Sequence, residues 1–201
     1  MADDDQHHEH HDHETGHDGH HADDRTSVLF GILTVSSSRT LDNDASGDAI
    51  VDSVEAADHT VASRDLVADD ERAIRDRLTE LLGDEAVDAV VTTGGTGLTP
   101  DDVTPEAASE LFDREIPGFG EQFRAQSVED VGPHGMLTRA TAGIVDGKPV
   151  FCLPGSEQAA DFGTTELVVP VVGHVVGLAG TEGDNHDDHS EHGGHEHGGH
   201  E

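Results

Sequence analysis

Tryptophan and tyrosine are missing from this sequence, and six phenylalanines are its whole aromatic complement. Cysteine occurs once, at Cys152, so an internal disulfide is excluded and a reducing compartment fits. No apolar run approaches the ~20 residues that a membrane-spanning helix needs, and the N-terminus is acidic where a signal peptide would be basic. The expectation is a cytoplasmic protein with no membrane partner. Positive charge is scarce as well. Ten basic residues, of which only Lys148 is a lysine, stand against 44 acids, a formal net charge of −34. Such a balance argues against a nucleic-acid partner or an anionic membrane surface. It suits a high-salt cytoplasm, because at ~1 M salt the Debye length is about 3 Å and a carboxylate-rich surface hardly repels itself.

The 201 residues suffice for one domain of ordinary size, flanked by two tails. Residues 1–24 hold eight histidines and nine acids, and residues 182–201 hold six histidines and seven acids; neither has an aliphatic run or a basic residue. Low hydrophobicity with high charge predicts disorder there. Imidazoles so placed would hold nickel, zinc, copper or cobalt loosely, with no fixed ligand spacing. The core, 25–181, keeps 28 acids against all ten basic residues, a net of −18.

Within the core, strand and helix signals alternate. Val28–Val35 reads as a strand, followed by a loop at Ser36-Ser37-Ser38-Arg39. Ser46–Ala57 reads as a helix, His59–Val67 as a strand, and a helix capped by Asp69 or Asp70 runs to Leu82 with Gly83 as its stop. Val87–Thr93 is a third strand. Thr104-Pro105 fits N-cap then first helical position of the next helix. Ala142–Val145 and Pro149–Leu153 flank Asp146-Gly147, a hairpin turn, and a last helical region covers Gln158–Leu178. This alternation predicts a three-layer α/β/α sandwich around a mostly parallel sheet. Ligands then sit beyond the C-terminal ends of the strands. The loops at Ser36, Asp69, Gly94 and Pro154 all follow strands, which would let them converge on that rim.

The richest stretch is Thr92-Thr93-Gly94-Gly95-Thr96-Gly97, followed by Asp101-Asp102 and a helix. Glycines let backbone N–H groups come close to an anion, and neighbouring carboxylates suggest a divalent cation on phosphate oxygens. No Gly-Lys-Ser/Thr follows, so it is not a Walker loop; Pro100 stands where a dinucleotide fingerprint has glycine. Hydroxyls at Ser36 and Ser37 with Arg39 suit phosphate or a polar ring. Leu153-Pro154-Gly155-Ser156, opening the last helix, offers a second anion or nucleotide site. Against these stand plainer readings: a tight turn at the glycines, N-capping by Asp69 or Asp70, and a solvated serine loop. Asp113–Glu121, dense in charge and glycine, reads as a connector with an ion pair between helices. Cys152 reads as a buried inert thiol, and His134 and His174 as structural.

These residues, together with Asp102-Val103-Thr104-Pro105-Glu106-Ala107, Asp113-Arg114-Glu115-Ile116-Pro117-Gly118-Phe119-Gly120-Glu121, Leu33-Thr34-Val35-Ser36 and Ser46-Gly47, resemble the MoaB/Mog family of molybdenum-cofactor biosynthesis. The resemblance covers 25–181 and not the tails; the acidic composition adds the expectation of a haloarchaeal source. It implies a three-layer α/β fold assembled as trimers or hexamers. It also implies that Mg-ATP and molybdopterin give adenylyl-molybdopterin and pyrophosphate, which a molybdate-insertion enzyme would use next. Asp102 matches the family's essential aspartate, and Asp69 the aspartate after the second strand; the two would share magnesium, with Asp101 a possible further ligand. Ser36, Ser37, Thr93, Gly94, Gly95, Thr96, Gly97, Pro154, Gly155 and Ser156 would bind molybdopterin and ATP. Two positions depart from the family: Asp101 stands where many members have arginine, and Glu157 where proline is frequent. Two other readings compete, a non-catalytic molybdopterin carrier and a metal-handling protein that uses the tails.

Overall fold

Period-two alternation of apolar residues sets the architecture. In β1 (Leu29–Val35), Phe30 and Ile32 face one layer while Leu33 and Val35 face the other. β3 (Ala89–Thr93) and β6 (Lys148–Leu153) split in the same way, Val91 and Phe151 to one side, Val90 and Cys152 to the other. Strands buried on both faces require helices on both. The structure, a computed structural model, describes residues 24–180. The expected disorder and metal affinity of the histidine-rich tails lie outside the described residues.

Six strands form one sheet in the order β2-β1-β3-β6-β5-β4. β2 (Thr60–Val67), β1, β3 and β6 run parallel; β5 (Thr141–Val145) and the two-residue β4 (Arg114–Glu115) pair antiparallel at the far edge. α1 (Ala45–Ala56), α4 (Pro117–Val131), α5 (Glu157–Phe162) and α6 (Val169–Gly180) cover one face, packing around Phe30, Phe123, Phe151 and Val172. α2 (Glu71–Gly83) and α3 (Thr104–Ser109) cover the other, around Leu33, Leu78, Val90 and Cys152. The expected α/β/α sandwich is present.

Several details differ from expectation. The Asp113–Glu121 segment holds no ion pair among the described residues; it supplies edge strand β4 and opens the helix α4. Asp113 instead accepts from the Asp146 N–H at 2.8 Å and so ties the segment to the hairpin. α3 starts one residue early: Val103 is the cap and Thr104 the first helical residue. Thr104 is drawn in because its N–H donates to the Gly95 carbonyl at 3.0 Å. The last helical stretch is not uniform. Gly163–Val168 widens into a π-helical turn just before Pro170, which has no N–H to offer the ladder. Together Glu157–Gly180 makes 24 helical residues, by length and composition enough to cross a membrane, where the sequence reading counted no such run. Its inward stripe, Ala160, Val168, Val172 and Val176, is part of the core.

Other expectations hold. Asp146 and Gly147 both have positive φ, 47° and 79°, the conformation a two-residue hairpin turn demands. Lys148 lies far from the loop rim; its Nζ donates to the Leu82 and Asp84 carbonyls at 2.8 and 2.7 Å, closing the C-terminus of α2. Cys152 is fully buried, and burial pushes its thiol up to about 11, Thr92 pulling weakly the other way. At pH 8 the native thiol should therefore stay protonated and ignore Ellman's reagent. One equivalent should react once the chain is unfolded. Rapid native labelling would show that the β6 layer opens.

Candidate functional site

β1, β3 and β6 are neighbours in the sheet, and all three end on the same side. Their following loops therefore meet. They enclose a cleft of about 500 Å³ lined by Ser36, Arg39, Gly94–Gly97, Asp102, Thr138 and Pro154-Gly155, with Val35, Ser38 and Leu137. Of the residues picked out in the sequence, Ser36, Arg39, Gly94, Gly95, Thr96, Gly97, Asp102, Pro154 and Gly155 are brought together here.

Glycine is needed at the centre for steric reasons. Gly94 has φ of 104°, and a Cβ there would overlap the Val35 carbonyl. Gly95 has φ of 64°, and a Cβ there would overlap the Thr104 hydroxyl. A Cβ on Gly155 would sit 3.1 Å from the Gly94 Cα. The Gly94 N–H donates to the Leu153 carbonyl at 3.0 Å, locking the β3 loop to β6. Gly97 lies directly against the Asp102 carboxylate, where a Cβ would sit 2.7 Å from Oδ2.

Asp102 folds back on its own turn. Its Oδ2 accepts from the Thr99 N–H at 2.8 Å and from the Thr99 hydroxyl at 2.6 Å. Partial burial pushes its carboxyl up. The Thr99 and Gly97 hydrogen bonds and the nearby Arg139 outweigh that and hold it below the usual carboxylate range. Arg139 then staples the whole loop. Its Nε donates to the Gly97 carbonyl at 2.7 Å, its N–H to the Thr96 carbonyl at 2.8 Å, and its two Nη atoms meet Glu106 and the Asp102 carbonyl.

The remaining sequence candidates do not line the cleft. Asp69 accepts from the Ser37 N–H at 2.6 Å, while the Ser37 hydroxyl accepts from the Asp69 N–H at 3.1 Å, a reciprocal clasp. Asp69 follows β2, which β1 separates from β3 by roughly 10 Å of sheet. Capping of α2 falls to Asp70, which accepts from the Ala73 N–H at 2.9 Å. Thr93 is buried and donates to the Pro154 carbonyl at 2.9 Å, shaping the β6 loop from beneath. Ser156 caps α5 and, with His134, lines a neighbouring cavity of about 270 Å³ that shares Thr138 and Pro154 with the cleft. That cavity is walled by Phe123 and Phe162 and edged by Ser127 and Asp130, so it has both apolar flanks and polar tips. Asp101 is exposed on the outer turn.

Sequence reasoning missed Arg139, Thr138 and Asp44. Arg139 and Thr138 sit in a segment with no periodic pattern, so nothing local flagged them. Asp44 had a signal, since it stands two residues before Ser46-Gly47 at a helix start.

As to metal, no group of three or more His, Cys, Asp or Glu is placed to hold an ion among the described residues. Magnesium commonly takes one or two carboxylates and completes its shell with phosphate oxygens and waters. Asp102 on the cleft wall fits that pattern for an ion that arrives with a phosphate ligand.

Comparisons with known proteins agree with this geometry. Residues 31–174 match a family model described as a probable molybdopterin binding domain. Molybdenum cofactor biosynthesis protein B of Bacillus cereus is 43% identical over 145 residues, covering 72% of this chain and 86% of the relative. A crystal structure of a molybdenum cofactor biosynthesis protein B superposes with a TM-score of 0.74 at 41% identity, covering 76% of this chain and 96% of that one. The tungsten cofactor synthesizing protein MoaB from Pyrococcus furiosus superposes at 0.69 with 38% identity, covering 77% and 98%.

The glycine geometry predicts that Gly94→Ala costs about 1–3 kcal/mol of stability and distorts the loop. Denaturant unfolding would read the first, and loss of ligand-induced stabilisation the second. An unchanged midpoint with intact ligand binding would mean the loop tolerates a side chain.

Proposed function

The chain belongs to the MoaB/Mog family of molybdenum cofactor biosynthesis, and from that premise we propose that it adenylylates molybdopterin with Mg-ATP. The molybdopterin phosphate attacks the α-phosphorus of ATP, a P–O bond forms, and pyrophosphate leaves. The observation that carries this reading is the cleft itself: three strand-end loops bring the glycine turn, Pro154-Gly155, one arginine and one aspartate around a common space.

Both reactants are anions, so most of the work is placement and charge neutralisation. The glycine loop at Gly94–Gly97 and the helix start at Pro154-Gly155-Ser156 are suited to the two phosphate regions, with Ser36 and Thr96 as hydroxyl partners. Thr93 acts by holding the Pro154 carbonyl. The neighbouring cavity, with Phe123 and Phe162 packed edge to face in its wall, offers an apolar surface to a ring. Magnesium, brought by the nucleotide, supplies positive charge that this lysine-poor chain lacks. Asp102 is the carboxylate placed to meet it, with Asp101 on the outer turn a further candidate. Asp69 holds the Ser36–Ser37 turn, which supports a share in the same site through that turn. Assembly as a trimer or hexamer, and onward transfer to a molybdate-insertion enzyme, belong to the same reading.

The test is turnover in molar KCl with molybdopterin and Mg-ATP, read as pyrophosphate and adenylylated pterin. Product is expected, and it should survive deletion of residues 1–24 and 182–201. Asp102→Asn should lose turnover while molybdopterin binding stays largely intact. Molybdopterin binding without any product would favour the carrier reading instead.

A further inference from the structure

Asp44 is only 1% exposed, and its charge needs an account. It follows a short 3₁₀ turn, Leu41–Asn43, and caps α1 by accepting from the Gly47 N–H at 3.1 Å. A cap requires no more than that and is usually wet. Here the Thr34 hydroxyl of β1 donates to Oδ2 at 2.6 Å and the Ser46 hydroxyl to Oδ1 at 3.2 Å. Arg64 of β2 donates to Oδ2 at 3.0 Å, while its other Nη pairs with Asp48 at 2.6 Å. A Cβ on Gly47 would overlap the carboxylate, so the glycine makes the room.

The cleft side of this network is Arg39. Its Nη1 donates to the Ser46 hydroxyl at 2.6 Å and lies 3.6 Å from Asp44 Oδ1. Its Nη2 donates to the Gly155 carbonyl at 2.8 Å, and its backbone N–H to the Ser36 hydroxyl at 3.3 Å. One side chain thus ties the β1 loop to the β6 loop. Among the described residues, Arg39 is also the only cationic side chain lining the cleft. Arg64 contacts the buried carboxylate more closely than Arg39 does, so Asp44 is balanced from behind. Arg39 is oriented chiefly by neutral oxygens and keeps its charge available to an anion.

We propose that Asp44 is a positioning residue: through Ser46 it fixes the Arg39 guanidinium at the cleft wall, where Arg39 binds a phosphate of the nucleotide and clamps the two anion-binding loops together. The assignment of a nucleotide rests on the adenylyltransferase reading, whereas the clamp does not. Charge alone makes the opposite forecast, because removing a buried carboxylate should strengthen anion binding.

Two measurements on the full chain separate these. Hydrogen exchange without ligand reads the clamp: R39Q, S46A and D44N should each speed exchange of amides 36–39 and 155–157. Calorimetric titration with Mg-ATP reads the anion: R39Q and D44N should each weaken binding about tenfold, the scale of a charge-assisted hydrogen bond. D44N on top of R39Q should add almost nothing, since Asp44 acts through Arg39. Should D44N fail to fold, S46A keeps the carboxylate in place and carries the test. Unchanged exchange in R39Q and S46A, tighter Mg-ATP binding by D44N, or full additivity of the pair would each overturn the proposal. A natural chain that shows the clamp but binds no Mg-ATP would overturn the nucleotide reading and leave the clamp standing.

Discussion

Main chain must touch main chain where β1, β3 and β6 end, and the rest of the cleft follows from that contact. Gly94 lies against the Val35 carbonyl on one side and Gly155 on the other, with no side chain between. Any Cβ at Gly94 would push β1 and β3 apart; one at Gly155 would press on the β3 loop. The cleft floor is consequently built of peptide groups. Peptide dipoles can meet an anion by shape and direction without a lysine. Under the proposed function, such a floor needs few side chains to help it.

Legibility in the sequence tracked the range of the forces involved. The hairpin at Asp146-Gly147 was readable because positive φ is a local demand. α2 was readable because Ile74, Leu78, Leu81 and Leu82 repeat at helical spacing and are all buried. α4 was not. Gly118 and Gly120 weaken its first turn, and only Phe119, Gly120 and Phe123 are buried, too few for a periodic signal. Edge strand β4 is two residues long and exists only because β5 is there to pair with. In the site, the glycines and Asp102 stood out by their own chemistry. Asp69 was seen as an acid after a strand, but its partner, Ser37, is chosen by the pairing of β2 with β1. Arg139 depends on a contact 37 residues away that no local pattern announces, and Asp44, legible as a helix cap, owes its burial to Arg64, 20 residues away.

Charge is arranged in two tiers. Arg72 with Asp76 and Arg25 with Asp88 are exposed surface pairs, worth little individually and weakened by salt. Arg39, Arg64 and Arg139 are of another kind. They are partly buried and bind backbone carbonyls as well as carboxylates. Ionic strength can rise without loosening those bonds much, so the cleft keeps its form in conditions that erase the outer pairs.

Lys148 gives the molecule an unusual chemical simplicity. Every reagent that seeks a side-chain amine, whether an acylating metabolite, a cross-linker or an activated surface, finds one address in the whole sequence. That amine is already donating to the end of α2. Acylating it would remove the charge and leave one N–H for the two carbonyls at the helix terminus, with the opposite rim untouched. Immobilisation through that side chain would accordingly hold the protein by its back, with the cleft facing outward.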